Sequence, residues 1–278
     1  MPLVDCSMRL WLPMSLQNRL PSRYRQDGPF CTRARTMFVL TRAVTAGLVH
    51  LFRCLKRSQT FSFRGEMLPY FYHGYGSTWS NERAVEVAIA KSFLSRNNPG
   101  RVLEIGNTLR HYLSFTHDIV DKYEKSPGVA NEDIVDFCPA QKYDLIVSIS
   151  TMEHVGYDAG EARDPGKFLR AFANIVERCL EDGGNLLVTM PLGYRPEVDE
   201  FIGCEAKSVF LDLHFMKRIS WDNRWLEVEY DEVKGSGFDF PYPCANAIVV
   251  GVLHKGESER ETTENRSELP DYQSPIVG

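Results

Sequence analysis

Residues 101–124, RVLEIGNTLRHYLSFTHDIVDKYE, limit the fold more than any other stretch of this chain. Arg101 to Ile105 is too short and too β-branched for a helix of its own, so it is expected to be a strand, with Gly106 turning the chain at its carboxyl end. A second apolar strand, His117 to Val120, ends at Asp121. In a doubly wound α/β sheet, ligands bind outside the carboxyl ends of the strands. An acid at the tip of the second strand is placed there to accept hydrogen bonds from ribose hydroxyls. The stretch therefore points to a nucleoside-containing ligand. A nicotinamide-dependent oxidoreductase would need G-x-G-x-x-G after the first strand, and GNTLRH does not supply it.

The rest of the chain alternates in the same sense. The spacing of Ala84, Val85, Ala88, Ile89 and Phe93 predicts a helix from about Asn81 to Ser95, capped by Ser80 or Asn81 and ended by Asn97, Asn98, Pro99 and Gly100. It follows an aromatic segment, YFYHGYGSTW, at 70–79. Beyond a turn at Lys125–Gly128, strands are expected at Asp133–Phe137 and at Tyr143–Ser150, the latter an apolar run suited to a buried parallel strand. Phe168, Leu169, Phe172, Ile175, Val176 and Leu180 give helical spacing over 164–181, closed by Asp182, Gly183 and Gly184, and Asn185–Met190 is a fifth strand. Past Pro191 the pattern becomes strands at 209–216, 225–233 and 247–254, without room for long helices between all of them. The expectation is an α/β fold with a doubly wound, mostly parallel sheet and an antiparallel carboxyl-terminal strand hairpin.

Charge is unevenly distributed. Of 32 basic and 37 acidic residues, 10 and 2 fall in residues 1–58, leaving 22 and 35 beyond. An acidic body argues against nucleic-acid binding, which needs clustered cations, and favours a small-molecule partner. Seven cysteines, with no C-x-x-C, suggest neither a disulfide framework nor a zinc cluster, and imply a reduced, cytoplasmic setting. No metal site is expected. Residues 1–36 are Arg-rich and acid-poor, as in an organelle transit peptide, and a start at Met37 is an open alternative. At helical spacing, residues 37–58 set Arg42, His50, Arg53, Lys56 and Arg57 opposite Phe38, Val44, Leu48, Leu51 and Leu55. Such a helix can lie peripherally on an anionic membrane surface, or simply pack on the domain. Three parts are expected: a basic extension at 1–58, one domain at 59–255 and a disordered tail at 256–278.

Taken together, VLEIG at 102–106, Asp121, the Asp133–Asp136 segment, YDLIVSISTMEHV at 143–155 and the helix, DGG, LLVTMP succession at 166–191 resemble class I S-adenosylmethionine-dependent methyltransferases. The likeness spans roughly residues 80–254. It implies a Rossmann-like, seven-stranded sheet, with S-adenosylmethionine bound across the ends of strands one to four. Carried over by position, Glu104, Gly106 and Asn107 form the first loop beside the methionine part of the cofactor. Asp121 takes the ribose hydroxyls. Asp133 or Asp136, with Ile134 beside it, faces the adenine. Ser148 and Ser150 end strand four near the methyl-bearing centre, and His154 is the general-base candidate.

Each residue also has a plainer reading: Glu104 can cap a loop, Asp121 can pair with Lys122, and His154 can be structural. The first loop departs from the family, since Gly106 is followed by Asn107, Thr108, Leu109 and Arg110, all with Cβ atoms. The short spacings from Gly106 to Asp121 and on to Asp133 leave the first two crossover helices very short or absent, with residues 66–96 supplying the missing cover. In that arrangement Tyr72, His73, Tyr75 and Trp79 would close over the ligands. The acceptor surface is expected from Tyr157–Arg163, Gly193–Arg195 and those aromatics. The resemblance implies methyl transfer to a hydroxyl or carboxyl of a small molecule such as a sugar or secondary metabolite. The alternative is a non-catalytic, methyltransferase-like binding or scaffold protein, held at a membrane by the basic helix.

Overall fold

A computed structural model of the chain describes residues 47, 58–157, 162–204, 206, 210 and 212–256. The basic segment 1–36, nearly all of the helix expected over 37–58, and the tail beyond Gly256 lie outside the described residues. Among those described, no helix is long and apolar enough to cross a membrane, and no cluster of metal-ligating side chains is found.

The chain enters through a hairpin the sequence reading missed, β1 (Thr60–Phe63) and β2 (Glu66–Pro69). Its two-residue loop is Arg64–Gly65, both with positive φ, which is how a tight hairpin matches the twist of its strands. Helix α1 (Arg83–Asn97) follows, with Asn98 closing it in the left-handed conformation. The Asn81 side chain accepts from the Arg83 amide at 3.1 Å, as expected of a residue at this helix start.

Then come β3 (Val102–Ile105), β4 (Asp118–Val120), β5 (Val129–Ala130) and β6 (Tyr143–Ile149). Helix α2 (Gly166–Asn174) ends in a π-helical turn, Ile175–Cys179, that runs into β7 (Leu180–Pro191). Helix α3 (Pro196–Cys204) was also unforeseen, although Pro196 followed by Glu197 and Asp199 is a helix-start signal. The chain ends in β8 (Asp212–Arg218), β9 (Trp225–Val228), the short α4 (Tyr230–Val233) and β10 (Ala247–His254).

The main sheet has eight strands in the order β5-β4-β3-β6-β7-β10-β8-β9. The five from β5 to β7 pair in parallel, whereas β10 pairs antiparallel with both β7 and β8, and β9 with β8. The antiparallel hairpin expected at the carboxyl end is present, with β9 as an eighth strand at the edge. Each face has its own core. Ile146, Leu186 and Val188 pack against Phe168, Phe172 and Ile175 of the α2 segment, while Leu145, Val147 and Leu187 pack against Val85 and Ile89 of α1. Alternate residues of β6 thus face opposite layers, as period-two geometry requires.

The expected third strand at Asp133–Phe137 is corrected. That segment is a turn in which the amides of Asp136 and Phe137 both bond to the Asp133 carbonyl at 3.0 Å, and the strand lies earlier, at Val129–Ala130. Ile134 and Phe137 both enter the core, a spacing of three that a strand cannot bury on one face. The carbonyls of Ile134 and Phe137 are satisfied instead by Asn174 of α2, at 2.7 and 2.8 Å. The first crossover carries only a helical turn, Leu109–His111, and the second none, as the short spacings implied. Helix α1 and the hairpin cover that face, with Leu109, Tyr112 and Leu113 packed into the same core.

Candidate functional site

Strand β3 neighbours both β4 and β6, so the chain runs outward along one half of the sheet and then along the other. A crevice opens at the carboxyl ends where the direction reverses. It is lined on one side by Asp121, Lys122 and Tyr123 after β4, on another by Glu132, Asp133 and Ile134, and across from them by Thr151, His154 and Val155 after β6. Ile105, Gly106 and Val120 form its floor.

Gly106 is needed there twice over. Its φ is +80°, and a Cβ would stand 2.3 Å from Thr151 Oγ1. Its amide donates to the Val120 carbonyl at 2.9 Å, tying the first loop to β4. The loop is held from beneath by Glu104, wholly buried, whose Oε1 accepts from the Thr108 amide at 2.6 Å and from the Leu109 amide. Its other oxygen meets His117 Nε2 at 2.6 Å, so each buried partner offsets the desolvation of the other. Glu104 therefore shapes the loop and does not itself line the crevice. Asn107 is nearly buried, and its Oδ1 accepts no hydrogen bond among the described residues.

Asp121 stands at the tip of β4. Its Oδ1 accepts the amides of Tyr123 and Glu124, both at 2.8 Å, which fixes the carboxylate plane and leaves Oδ2 with no donor among the described residues. Asp133 is differently engaged: Lys167 and Lys122 reach its Oδ2 at 2.7 and 3.1 Å. Partial burial opposes its charge, but the hydrogen bonds from the two lysines prevail and hold its pKa below the usual carboxylate value. Ile134 is a buried apolar wall. Asp136 is exposed and lies outside the lining, whereas Glu132, which the sequence did not single out, belongs to it.

Ser150 (φ +40°) and Thr189 turn away from the crevice, and their hydroxyls donate to Glu86 Oε1 at 2.6 and 2.7 Å. Glu86 is completely buried on α1, and its other oxygen is ion-paired with Arg83. Ser148 is buried in β6, its hydroxyl without a hydrogen-bond partner among the described residues. Glu153 joins this buried group. Desolvation, augmented by Glu86 and Glu82 and partly offset by Arg83, pushes its pKa up to about 8, and its Oε2 has no hydrogen-bond partner among the described residues. A glutamate inside the apolar helix run RAVEVAIA was the available signal for Glu86.

His154 has a half-exposed side chain in the lining, 3.8 Å from Glu153 Oε1, with its ring edge-on to Tyr194 at 5.3 Å. The amino-terminal aromatics do not line the crevice. Tyr75 stacks on His111 at 4.3 Å, and His73 and Tyr75 meet the Tyr112 ring at 5.6 and 5.5 Å, bracing the first-loop turn from outside.

Five parallel strands in chain order third, second, first, fourth, fifth, closed by an antiparallel strand beside the fifth, with a crevice at the reversal point, decide the architecture. This is the doubly wound arrangement that the resemblance to class I methyltransferases implies. No protein-family model matches the chain, and no curated protein does. Solved structures similar to it include the N-methyltransferase NodS from Bradyrhizobium japonicum WM9, at 15% identity over 63% of this chain and 97% of that one, TM-score 0.40. Others are an rRNA methylase from Streptococcus thermophilus (13% identity, 62% and 97% covered, TM-score 0.38) and an S-adenosylmethionine-dependent methyltransferase from Clostridium acetobutylicum ATCC 824 (10%, 62% and 91%, 0.35).

Proposed function

We propose that this protein transfers a methyl group from S-adenosylmethionine to a hydroxyl or carboxyl of a small-molecule acceptor. The observation that carries the reading is the meeting, in one crevice, of a positive-φ Gly106 backed by Thr151 and an Asp121 carboxylate with one oxygen held and the other open. These residues fit the cofactor. The absence of a side chain at 106 lets Thr151 close against the first loop, Asp121 Oδ2 can accept from ribose hydroxyls, and Ile105, Val120, Ile134 and Val155 provide apolar walls. Asn107 lies outside the lining, its buried Oδ1 accepting no hydrogen bond among the described residues.

Bound there, the cofactor supplies an electrophilic methyl on a sulfonium. The chain's own contribution is to hold the acceptor oxygen in line with it, which can account for a large part of the acceleration. An acceptor hydroxyl must also lose its proton, and the His154 ring, lining the crevice, takes it at an imidazole nitrogen. Glu153, 3.8 Å away, favours the imidazolium so formed to the extent that it is ionised.

The test is radiometric methyl transfer and product S-adenosylhomocysteine formation by the full chain across a panel of hydroxyl and carboxyl acceptors. For a hydroxyl acceptor, His154→Gln should lower turnover by about 10²-fold with cofactor binding retained. Tight cofactor binding without transfer to any acceptor would instead favour a non-catalytic binding protein.

A further inference from the structure

The loops following β6 and β7 converge beside the crevice, on the side away from Asp121. Each is pinned at its base. The Asp164 amide donates to the Gly156 carbonyl at 2.9 Å, tying Tyr157 and Arg163 close to one another. The Gly193 amide donates to both oxygens of Asp199, at 3.0 and 3.1 Å. Arg195 is thereby set with its guanidinium carbon 4.7 Å from the Tyr157 ring centroid and 4.9 Å from that of Tyr194, the same Tyr194 that meets His154. Arg163 lies 5.1 Å from the Tyr157 centroid.

Among the described residues nothing accepts a hydrogen bond from Arg195, and its Nε is buried and unpartnered. Glu197 stands beside this pair of arginines, its Oε1 3.5 Å from Arg163. A permanently charged guanidinium held against aromatic rings has its faces occupied and its donor edge pre-oriented. That is the geometry in which arginine recognises planar oxyanions. We propose that Arg195, assisted by Arg163, binds a carboxylate or phosphate group of the acceptor. This rests on the methyl-transfer reading for the acceptor's identity as a substrate, and it narrows the substrate class to anionic small molecules. The anion would sit across the β3/β6 divide from the cofactor's ribose. The reacting oxygen would then lie between them, near His154.

The test is calorimetric titration of the full chain with benzoate and phenyl phosphate, at fixed ionic strength in sodium chloride, with benzamide as the neutral control. At least one anion should bind saturably and benzamide should not. Which anion binds more tightly separates the carboxylate class from the phosphate class. Arg195→Gln should weaken that binding roughly tenfold or more, as expected when hydrogen bonds to a charged group are lost. Glu197→Gln removes the competing negative charge and should tighten binding severalfold, a change that misfolding could not produce. Binding of neither anion, or equal binding by wild type and Arg195→Gln, would overturn the proposal. S-adenosylmethionine is titrated into the same samples: anion binding without cofactor binding would defeat the methyl-transfer reading and leave the anion site standing, and the reverse result would do the opposite.

Discussion

Gly106 and Glu153 show how single positions set the limits of this site. At Gly106 an alanine would combine a left-handed backbone with a 2.3 Å approach to Thr151 Oγ1. Gly106→Ala should cost about 1–3 kcal/mol in denaturant unfolding and abolish cofactor binding, because relief requires moving the loop or the β6 end apart. Unchanged stability would mean that Thr151 can swing away freely. Glu153 has a folded pKa of about 8 against an ordinary value of 4.5. Between those values the native state keeps the proton that the unfolded chain releases. Stability therefore falls as pH rises through this window and levels off above it, with a loss on the order of 3 kcal/mol by pH 7. Glu153→Gln removes the ionisation and should flatten the dependence of unfolding free energy between pH 5 and 8. Parallel profiles for the two proteins would show that Glu153 is solvated. Sequence alone singled out Gly106, Asp121 and His154, because turn chemistry, a strand-end acid and a helix-start histidine each leave a local mark. It could not reveal that Ser150 bonds to Glu86, a partner 64 residues away.

At the scale of elements, β3, β6 and β10 were legible because their buried apolar runs have no other use. The hairpin β1–β2 was not, although Arg64–Gly65 after the alternating Phe61 and Phe63 is a hairpin pattern. The turn at 133–137 was misread because the β-branched pair Ile134–Val135 and Phe137 suit a strand, and Asn174 of α2 reveals which way its carbonyls point. That same helix supplies Lys167 to Asp133, so α2 fixes one wall of the crevice through two side chains. Asn174→Ala removes the amide donor from both carbonyls, leaving Phe137 only the weak Cys179 thiol, and should cost about 1–3 kcal/mol. The effect should be local: hydrogen exchange should speed up at Asp136 and Phe137, whose amides close the turn, and leave β6 protected. Uniform acceleration across the sheet would contradict this division of labour.

Across the whole molecule, two unlike layers cover one sheet. The α2 side is helical as a doubly wound fold requires, while the α1 side replaces the missing first crossovers with a preceding helix and hairpin. The crevice survives that replacement because it depends on strand order and strand ends, not on crossover length. Asp121 is where the account is most exposed. The most direct measurement is calorimetric titration of S-adenosylmethionine, with NAD as control, into the full chain and into Asp121→Asn. The asparagine keeps an oxygen for the Tyr123 and Glu124 amides but turns the open acceptor into a donor. Saturable binding by the wild type, weakened about tenfold or more in Asp121→Asn and absent with NAD, is the expected result. No saturable binding by the wild type, or equal affinity in the variant, would contradict a cofactor site at this crevice.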